Sequence, residues 1–165
     1  MFNYRRYVSI LLSVIFTSLL ATACTPSGEN IAGETWVIFS AEKASEARIG
    51  EWFVTDSGTI DYWTPTQSDI LRLENGFTPY LQANPDGFYT TNPPIWERLT
   101  KYNRQYIGLI MDGRQIIYAN YFCNNIGTDW KSHFVFVLDG GECYFQFKYD
   151  IGSGDFFDLQ VNGEA

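Results

Sequence analysis

The second half of the chain alternates apolar and polar residues with a period of two, starting near Gln105. This alternation is typical of antiparallel strands with one face buried. Residues 106–110 and 115–122 flank the sequence Met-Asp-Gly-Arg at 111–114. Because Asp-Gly readily adopts the positive φ angles of a two-residue turn, this stretch predicts a β-hairpin. A chain with this pattern has to build a sheet from its C-terminal half.

The same pattern predicts further strands after the first hairpin. Residues 134–138 and 143–149 flank Asp-Gly-Gly at 139–141 and indicate a second hairpin. A last strand is predicted over 157–161, after the turn Gly-Ser-Gly at 152–154. We therefore expect four or five antiparallel strands.

One helix is predicted before the strands, over residues 66–83. Thr66 precedes Asp69 by three residues, which approximates a capping box. Apolar residues then follow at helical spacing: Ile70, Leu73, Phe77, Tyr80 and Leu81. Gly76 and Pro79 predict a kink or break near Thr78.

A helix followed by a run of strands predicts an α+β fold. We expect an N-terminal helix packed on a curved antiparallel sheet of four to five strands. By analogy this layout resembles the cystatin-like and NTF2-like families. The alternative is a small β-barrel.

The N-terminus has the order of a secretory signal. Arg5 and Arg6 precede an uncharged apolar run over 8–20. The following Leu-Ala-Thr-Ala-Cys at 20–24 resembles the lipobox of bacterial lipoprotein precursors, although Ala21 stands where leucine is commoner. The resemblance implies cleavage after Ala23 and fatty acylation, including palmitate, of Cys24. The alternative is an ordinary cleaved signal with an unrelated cysteine.

These features divide the chain into a signal peptide (1–23), a lipidated tether (24–33) and a single α+β domain (34–165). The expected location is the periplasmic face of the cell envelope, with the membrane as a partner through the lipid anchor. Thr25 follows the cysteine where aspartate would be a retention signal. In a Gram-negative host this implies the outer membrane.

The charge of the chain argues against one class of partner. The chain has 11 basic and 19 acidic side chains. Loss of 1–23 would remove two arginines and no acid, leaving a net charge of −10. Nucleic acid requires a basic surface, so we expect no nucleic-acid partner. An acidic surface suits either solubility or a basic protein partner.

Two cysteines remain once Cys24 is assigned to lipid. Cys123 and Cys143 are an even pair in an oxidising compartment and could form a disulfide. The alternative is two buried free thiols. If a strand over 134–138 lay between them, the two cysteines would stand at opposite edges of the sheet, which argues against the bond.

The sequence contains no recognisable catalytic or metal-binding motif. His133 is the single histidine, and we interpret it as a strand-edge residue. Ser40 and Lys43 match Ser-x-x-Lys without its companion motifs. No catalytic residue, metal ligand or cofactor is therefore predicted. Two possibilities stay open: a catalytic pair among the acids, and a sugar or peptide platform of Trp63, Trp96 and Trp130.

The function expected from these observations is that of a non-enzymatic binding or interaction lipoprotein of the envelope. Residues 102–165 also resemble uncharacterised bacterial lipoproteins, which implies no activity. One alternative is an inhibitor or immunity-type protein against a basic envelope-active enzyme, with the turn at 152–154 as its inhibitory loop. The other is a small cell-wall hydrolase that uses a carboxylate pair.

Overall fold

The computed structural model describes residues 28–52, 60–88, 92–124 and 129–164, so the predicted signal peptide and Cys24 lie outside the described residues. The described strands are β1 (Ile31–Ala32), β2 (Trp36–Ile38), β3 (Asp61–Trp63), β4 (Asn103–Met111), β5 (Arg114–Phe122), β6 (Tyr144–Asp150) and β7 (Phe156–Val161). The helices are α1 (Ala41–Glu46) and α2 (Gln67–Ala83). Short 3₁₀ turns occupy Ile49–Trp52, Pro85–Gly87, Ile95–Glu97, Leu99–Lys101 and Gly141–Cys143. No helix in the described ranges is long and apolar enough to span a membrane.

The fold is α+β with an open, mostly antiparallel sheet, which confirms the predicted class. The strand order is β1-β2-β4-β5-β6-β7, and β3 pairs with the same edge of β4 as β2 does. Two expectations were wrong. The sheet has seven strands in the described residues rather than four or five, and α2 is not N-terminal because β1, β2, α1 and β3 precede it. The strands before α2 are two or three residues long and form through pairing with β4 or β2.

The pairing of β2 with β4 is the one parallel contact among the described strands. Trp36 lies opposite Arg104, and Ile38 lies opposite Tyr106. The two strands are far apart in sequence, and their register brings Trp36 beside Arg104 on one face of the sheet.

Helix α2 begins and ends close to the residues that its sequence predicts. Thr66 accepts a hydrogen bond from the backbone N–H of Asp69, and the Asp69 carboxylate accepts one from the backbone N–H of Thr66, which completes the capping box. The helix runs through Pro79, so of the predicted kink or break near Thr78 the break does not occur. Tertiary packing explains its continuity, because Phe77 and Leu81 on either side of Pro79 are fully buried.

The hairpin of β4 and β5 matches its prediction. Asp112 and Gly113 form the two-residue turn with φ angles of 51° and 73°. These positive angles suit the twist of the paired strands. Gly113 adopts its positive angle without strain because it has no Cβ. Nine residue pairs are in register between the two strands. β4 and β5 also stand in the middle of the strand order and form the centre of the sheet.

Helix α2 covers one face of the sheet, which we call the helix face. Phe77 lies at its centre, with its ring centroid 3.9 Å from that of Phe147 and 5.6 Å from that of Tyr121. Phe145 stacks on Tyr121 at 4.8 Å. The main core is therefore a continuous set of aromatic rings between α2 and strands β5 and β6.

The opposite face of the sheet is covered by α1 and by residues 129–140, which we call the strap. Ala44 of α1 packs against Phe39 and Ile107, while Val135 of the strap packs against Phe122. The predicted strand at 134–138 was wrong, since this segment pairs with no described strand. Its alternation has another cause. Val135 of the strap is buried against the sheet, while the residues on either side of it are more exposed.

Side chains of the sheet hold the strap in place of a neighbouring strand. The Gln105 amide donates to the carbonyls of Trp130 and His133, and its oxygen accepts from the backbone N–H of Val135. The Asn120 amide donates to the carbonyl of Val135 and to Gln105. These two buried side chains satisfy the strap's polar groups, as a buried backbone requires.

The described part of the predicted tether belongs to the domain. Ile31 pairs with Ile38, the Asn30 side chain donates to the carbonyl of Lys131, and Ser40 donates to the carbonyl of Gly28. Residues of the predicted tether therefore contact the strap, β2 and the start of α1. The polar residues around Ile31 and Ala32 show no strand pattern, so the pairing of β1 with β2 was not predicted.

Candidate functional site

The clearest site is a pocket between the first half of α2 and strands β2 and β4, which we call the α2 pocket. It has a volume of about 730 Å³. Its lining consists of Trp36, Gln67, Ser68, Ile70, Leu71, Glu74, Arg104 and Tyr106. Leu71 on the rim is a large apolar side chain that is 62% exposed.

A carboxylate with an unusual environment forms the floor of this pocket. Glu74 accepts hydrogen bonds from the hydroxyls of Tyr106 and Tyr121, both on the same oxygen. Both tyrosine side chains are fully buried. Burial, together with the neighbouring Glu74 carboxylate, holds the pKa of both hydroxyls well above the ordinary value. They therefore remain protonated donors at neutral pH.

Arg104 balances the charge of Glu74. Its Nη1 lies 3.4 Å from the second oxygen of Glu74, and its Nη2 donates to the carbonyl of Leu99 at 2.8 Å. The guanidinium also lies over the Tyr121 ring, 5.3 Å from the centroid. Its Nε is buried without a hydrogen-bond partner among the described residues. Arg104 is thus fixed from several sides while part of it still lines the pocket.

The pocket combines an apolar wall with a neutral ion pair. Trp36, Ile70 and Leu71 supply the wall, and Glu74 and Arg104 supply one acceptor edge and one donor edge at the floor. A pocket that is mostly apolar, with a few convergent polar groups, is the usual form of a small-molecule site.

Sequence reasoning missed this site, although one signal was present. Glu74 comes four residues after Ile70 and three before Phe77, both of which are buried. An acid on the apolar stripe of a helix requires a partner inside the fold. The partners Arg104 and Tyr121 lie opposite each other in the β4–β5 hairpin, but the packing of α2 on that hairpin could not be read from the sequence.

The sequence-predicted cysteines fall into two groups. Cys24, the predicted lipid acceptor, lies outside the described residues. Cys123 and Cys143 form a disulfide with Cα atoms 5.0 Å apart. The geometric objection to this bond was wrong because β6 pairs directly with β5, so the two cysteines stand side by side at neighbouring strand ends. The strap passes over the sheet instead of between these strands.

Two of the other residues considered from sequence, Lys43 and His133, line a second pocket between α1 and the strap. His133 is exposed and lies in the strap, not at a strand edge; its Nδ1 is 3.3 Å from the carbonyl oxygen of Asp129. Ser40 caps α1 and accepts from the backbone N–H of Lys43, so this pair has a structural role. In the described ranges, no three His, Cys, Asp or Glu side chains are placed to hold a metal ion.

The three tryptophans considered as a platform do not lie on one face of the sheet. Trp63 and Trp96 pack against the core of the helix face, and Trp130 packs on the strap side. The indole N–H of Trp63 donates to the backbone carbonyls of Leu109 and Ile116. Trp36, which was not on that list, is the tryptophan that lines the α2 pocket.

Comparison with protein-family models, with curated proteins and with solved structures finds no significant match to this chain. The functional assignment therefore rests on the α2 pocket and on the sequence motifs.

Proposed function

We propose that this protein is a lipid-anchored binding protein of the bacterial envelope, and that the α2 pocket is its ligand site. The single observation that carries the ligand site is the Glu74 and Arg104 pair at the floor of an otherwise apolar pocket. The anchor is supported by the signal and lipobox ending at Cys24. We also propose that its architecture resembles that of cystatin-like and NTF2-like proteins, and this resemblance implies no function.

The chemistry of the floor favours a neutral ligand that carries an amide beside an apolar group. A carboxylate ligand would be repelled by Glu74, and an ammonium ligand would be repelled by Arg104. An amide avoids both costs, because its carbonyl accepts from the guanidinium while its N–H donates to the carboxylate. The apolar group then packs against Trp36 and Leu71. An N-acetyl or N-acyl group has this composition.

Several features support binding over turnover. Glu74 is the only carboxylate among the described residues that line this pocket. It already accepts from two tyrosines and pairs with Arg104, so it is poorly suited to act as a base or nucleophile. The alternative hydrolase would need a second carboxylate at a suitable distance.

A panel of small N-acetylated and N-acylated compounds tests the pocket by ligand-observed NMR on the mature protein. We expect neutral amides to bind and their free acids and amines to bind much more weakly. Leu71→Ser should weaken binding without changing the melting temperature, because Leu71 is exposed. The matched control is Leu138→Ser, a second exposed leucine on the other face of the sheet.

The result against the proposal would be equal binding by the Leu71→Ser and Leu138→Ser proteins. Hydrolysis of any amide or glycan that disappears in Glu74→Gln would favour the hydrolase instead. The anchor is tested separately by Cys24→Ser, which should yield an uncleaved, non-acylated chain by mass spectrometry. A Cys24→Ser protein that is still cleaved after Ala23 would contradict the lipobox.

An inhibitor of a basic envelope enzyme remains the second candidate, and one observation favours it. The turn at 152–154 is exposed and held by Asp150, whose carboxylate accepts from the backbone N–H groups of Gly152 and Ser153. The Ser153 bond, with that of Gly152 and the charge of Arg114, holds the pKa of Asp150 below its ordinary value. A turn fixed in advance loses little entropy on binding.

This second candidate predicts salt-sensitive association with a basic enzyme such as a lysozyme. The association rate should fall steeply between low and high salt, because screening shortens the range of the acidic field. The informative substitution is Asp150→Asn, which weakens the hydrogen bonds that fix the turn and should therefore weaken inhibition. Inhibition that is unaffected by Asp150→Asn would set this candidate aside.

A further inference from the structure

The start of the described chain lies beside a groove on the strap face. The groove, with a volume of about 730 Å³, runs between α1 and the strap. Gly28, Asn30, Lys43 and Lys131 are among the residues that line it. Gly28 accepts from Ser40 at the N-terminus of α1, and Asn30 donates to the strap carbonyl of Lys131. The chain therefore leaves the domain on the side where α1 and the strap meet.

The strap carries exposed apolar side chains on this same face. Leu138 is 71% exposed and Phe136 is 44% exposed, whereas Val135 is buried against the sheet. Of the three large apolar side chains that are exposed in the described residues, two lie in the strap. Inward-facing Val135 holds the segment down, so its exposed neighbours are presented outward from a fixed support.

The charge around the groove differs from that of the whole chain. Lys43 and Lys131 line the groove together with Glu29 and Glu46, whereas acids outnumber bases by 19 to 11 overall. Lys43 is paired with Glu46 at 2.9 Å. The ammonium group of Lys131 lies over the Trp130 ring, 5.2 Å from its centroid. The lining of the groove is therefore less acidic than the chain as a whole.

We propose that the strap face rests on the phospholipid bilayer, with Leu138 and Phe136 entering the boundary between headgroups and acyl chains. This inference rests on the proposed anchor. Gly28 follows Cys24 by four positions in the sequence, which limits the gap between the bilayer and the domain to about 14 Å. A tether this short keeps the face from which the chain emerges near the lipid. Exposed leucine and aromatic side chains are suited to that boundary.

The α2 pocket lies on the helix face, on the other side of the sheet. Trp36 and Tyr106, which line the pocket, pack in the core of the helix face, while Phe39 and Ala44 pack in the core beneath α1 and the strap. The orientation therefore leaves the pocket open to the periplasmic space while the strap contacts lipid.

Site-specific photocrosslinking tests this orientation in the full lipidated protein. A benzophenone amino acid replaces Leu138 in one protein and Leu71 in another, and each is reconstituted in vesicles of phosphatidylethanolamine and phosphatidylglycerol. The two positions are matched, because both are leucines with 71% and 62% exposure and they lie on opposite faces. After irradiation, we expect several-fold more lipid adduct at position 138 than at position 71. Melting curves establish that both proteins are folded.

Flotation of the vesicles separates failure of this inference from failure of the anchor. Protein that floats and crosslinks to lipid equally at both positions, or more at 71, would overturn the orientation and leave the anchor intact. Protein that does not float has no anchor, and the orientation then falls with it. A protein with both Leu138→Asp and Phe136→Asp should still float, but brominated lipid should quench its tryptophan fluorescence less than that of the parent.

Discussion

At the scale of single residues, the helix face depends on large aromatic side chains more than on any polar contact. Phe145 is fully buried and has the rings of Phe77, Phe88, Tyr102 and Tyr121 around it at centroid distances of 4.8–6.1 Å. Truncation of such a side chain leaves a cavity that its rigid neighbours cannot fill.

Phe145→Ala should therefore lower the free energy of unfolding by about 3–5 kcal/mol. Urea denaturation of the parent and variant proteins measures the difference. Leu138→Ala serves as the control and should change stability by no more than about 0.5 kcal/mol, because Leu138 is exposed. Equal effects of the two substitutions would mean that Phe145 does not lie in the core.

The buried tyrosines make a second residue-scale prediction, on pH. Burial raises the pKa of Tyr102 to about 12, and it raises the pKa of Tyr106 and Tyr121 well above the ordinary value. An unfolded tyrosine ionises near pH ~10. Above that pH the unfolded chain releases protons that the folded chain retains, so the free energy of unfolding should fall as pH rises.

Below about pH 10 these tyrosines should give no pH dependence, because both states are protonated. Urea denaturation at a series of alkaline pH values, with tyrosinate absorbance recorded in parallel, checks this. Tyr106→Phe should make the alkaline decrease shallower, since it removes one of the retained protons. Tyrosinate absorbance that develops fully before unfolding would contradict the burial of these hydroxyls.

At the scale of elements, the strap is the segment whose position depends on side-chain hydrogen bonds. Gln105→Leu should leave the carbonyls of Trp130 and His133 and the N–H of Val135 unpaired under the strap. Each buried unpaired group costs about 1–3 kcal/mol, so the substitution should destabilise the protein by about 3 kcal/mol or more.

Hydrogen exchange gives a local readout of the same change. The amide of Val135 should exchange much faster in Gln105→Leu than in the parent, while the amides of the β4–β5 hairpin should change only with global stability. Gln160→Leu is the control, because Gln160 is exposed on β7. Unchanged exchange at Val135 would show that packing alone holds the strap.

The elements also show what the sequence can and cannot predict. The Asp112-Gly113 turn and the capped start of α2 were predicted because each depends on residues a few positions apart. The strap was mistaken for a strand because its alternation of buried and exposed residues is the same whether a segment joins a sheet or lies over one. The α2 pocket escaped prediction because Trp36 meets Arg104 only through the parallel register of β2 with β4, and Glu74 meets it only through the packing of α2 on the sheet.

At the scale of the whole molecule, the disulfide closes the segment that contains the strap. The bond joins residues 20 positions apart. In the chain-entropy description, a loop of this size stabilises the folded state by about 3 kcal/mol. Cys123→Ala with Cys143→Ala should therefore lower the free energy of unfolding by about that amount.

Denaturation of the double variant against the oxidised parent measures this effect. The parent under reducing conditions should match the variant, which controls for the substitutions themselves. Thiol labelling of the folded, unreduced protein should find neither Cys123 nor Cys143 reactive. Labelling of both, with no loss of stability on reduction, would indicate two free thiols.

The same bond shortens the path between β5 and β6. Phe122 faces Tyr144 across this strand pair, and the chain between them runs through the whole strap. Once the two neighbouring cysteines are joined, Phe122 and Tyr144 are as close along the covalent network as two residues in a tight hairpin. Contacts that are close along the chain form faster than distant ones. Formation of the disulfide in an oxidising compartment would thus change the order of assembly. It would let β5 and β6 pair before the strap packs over the sheet.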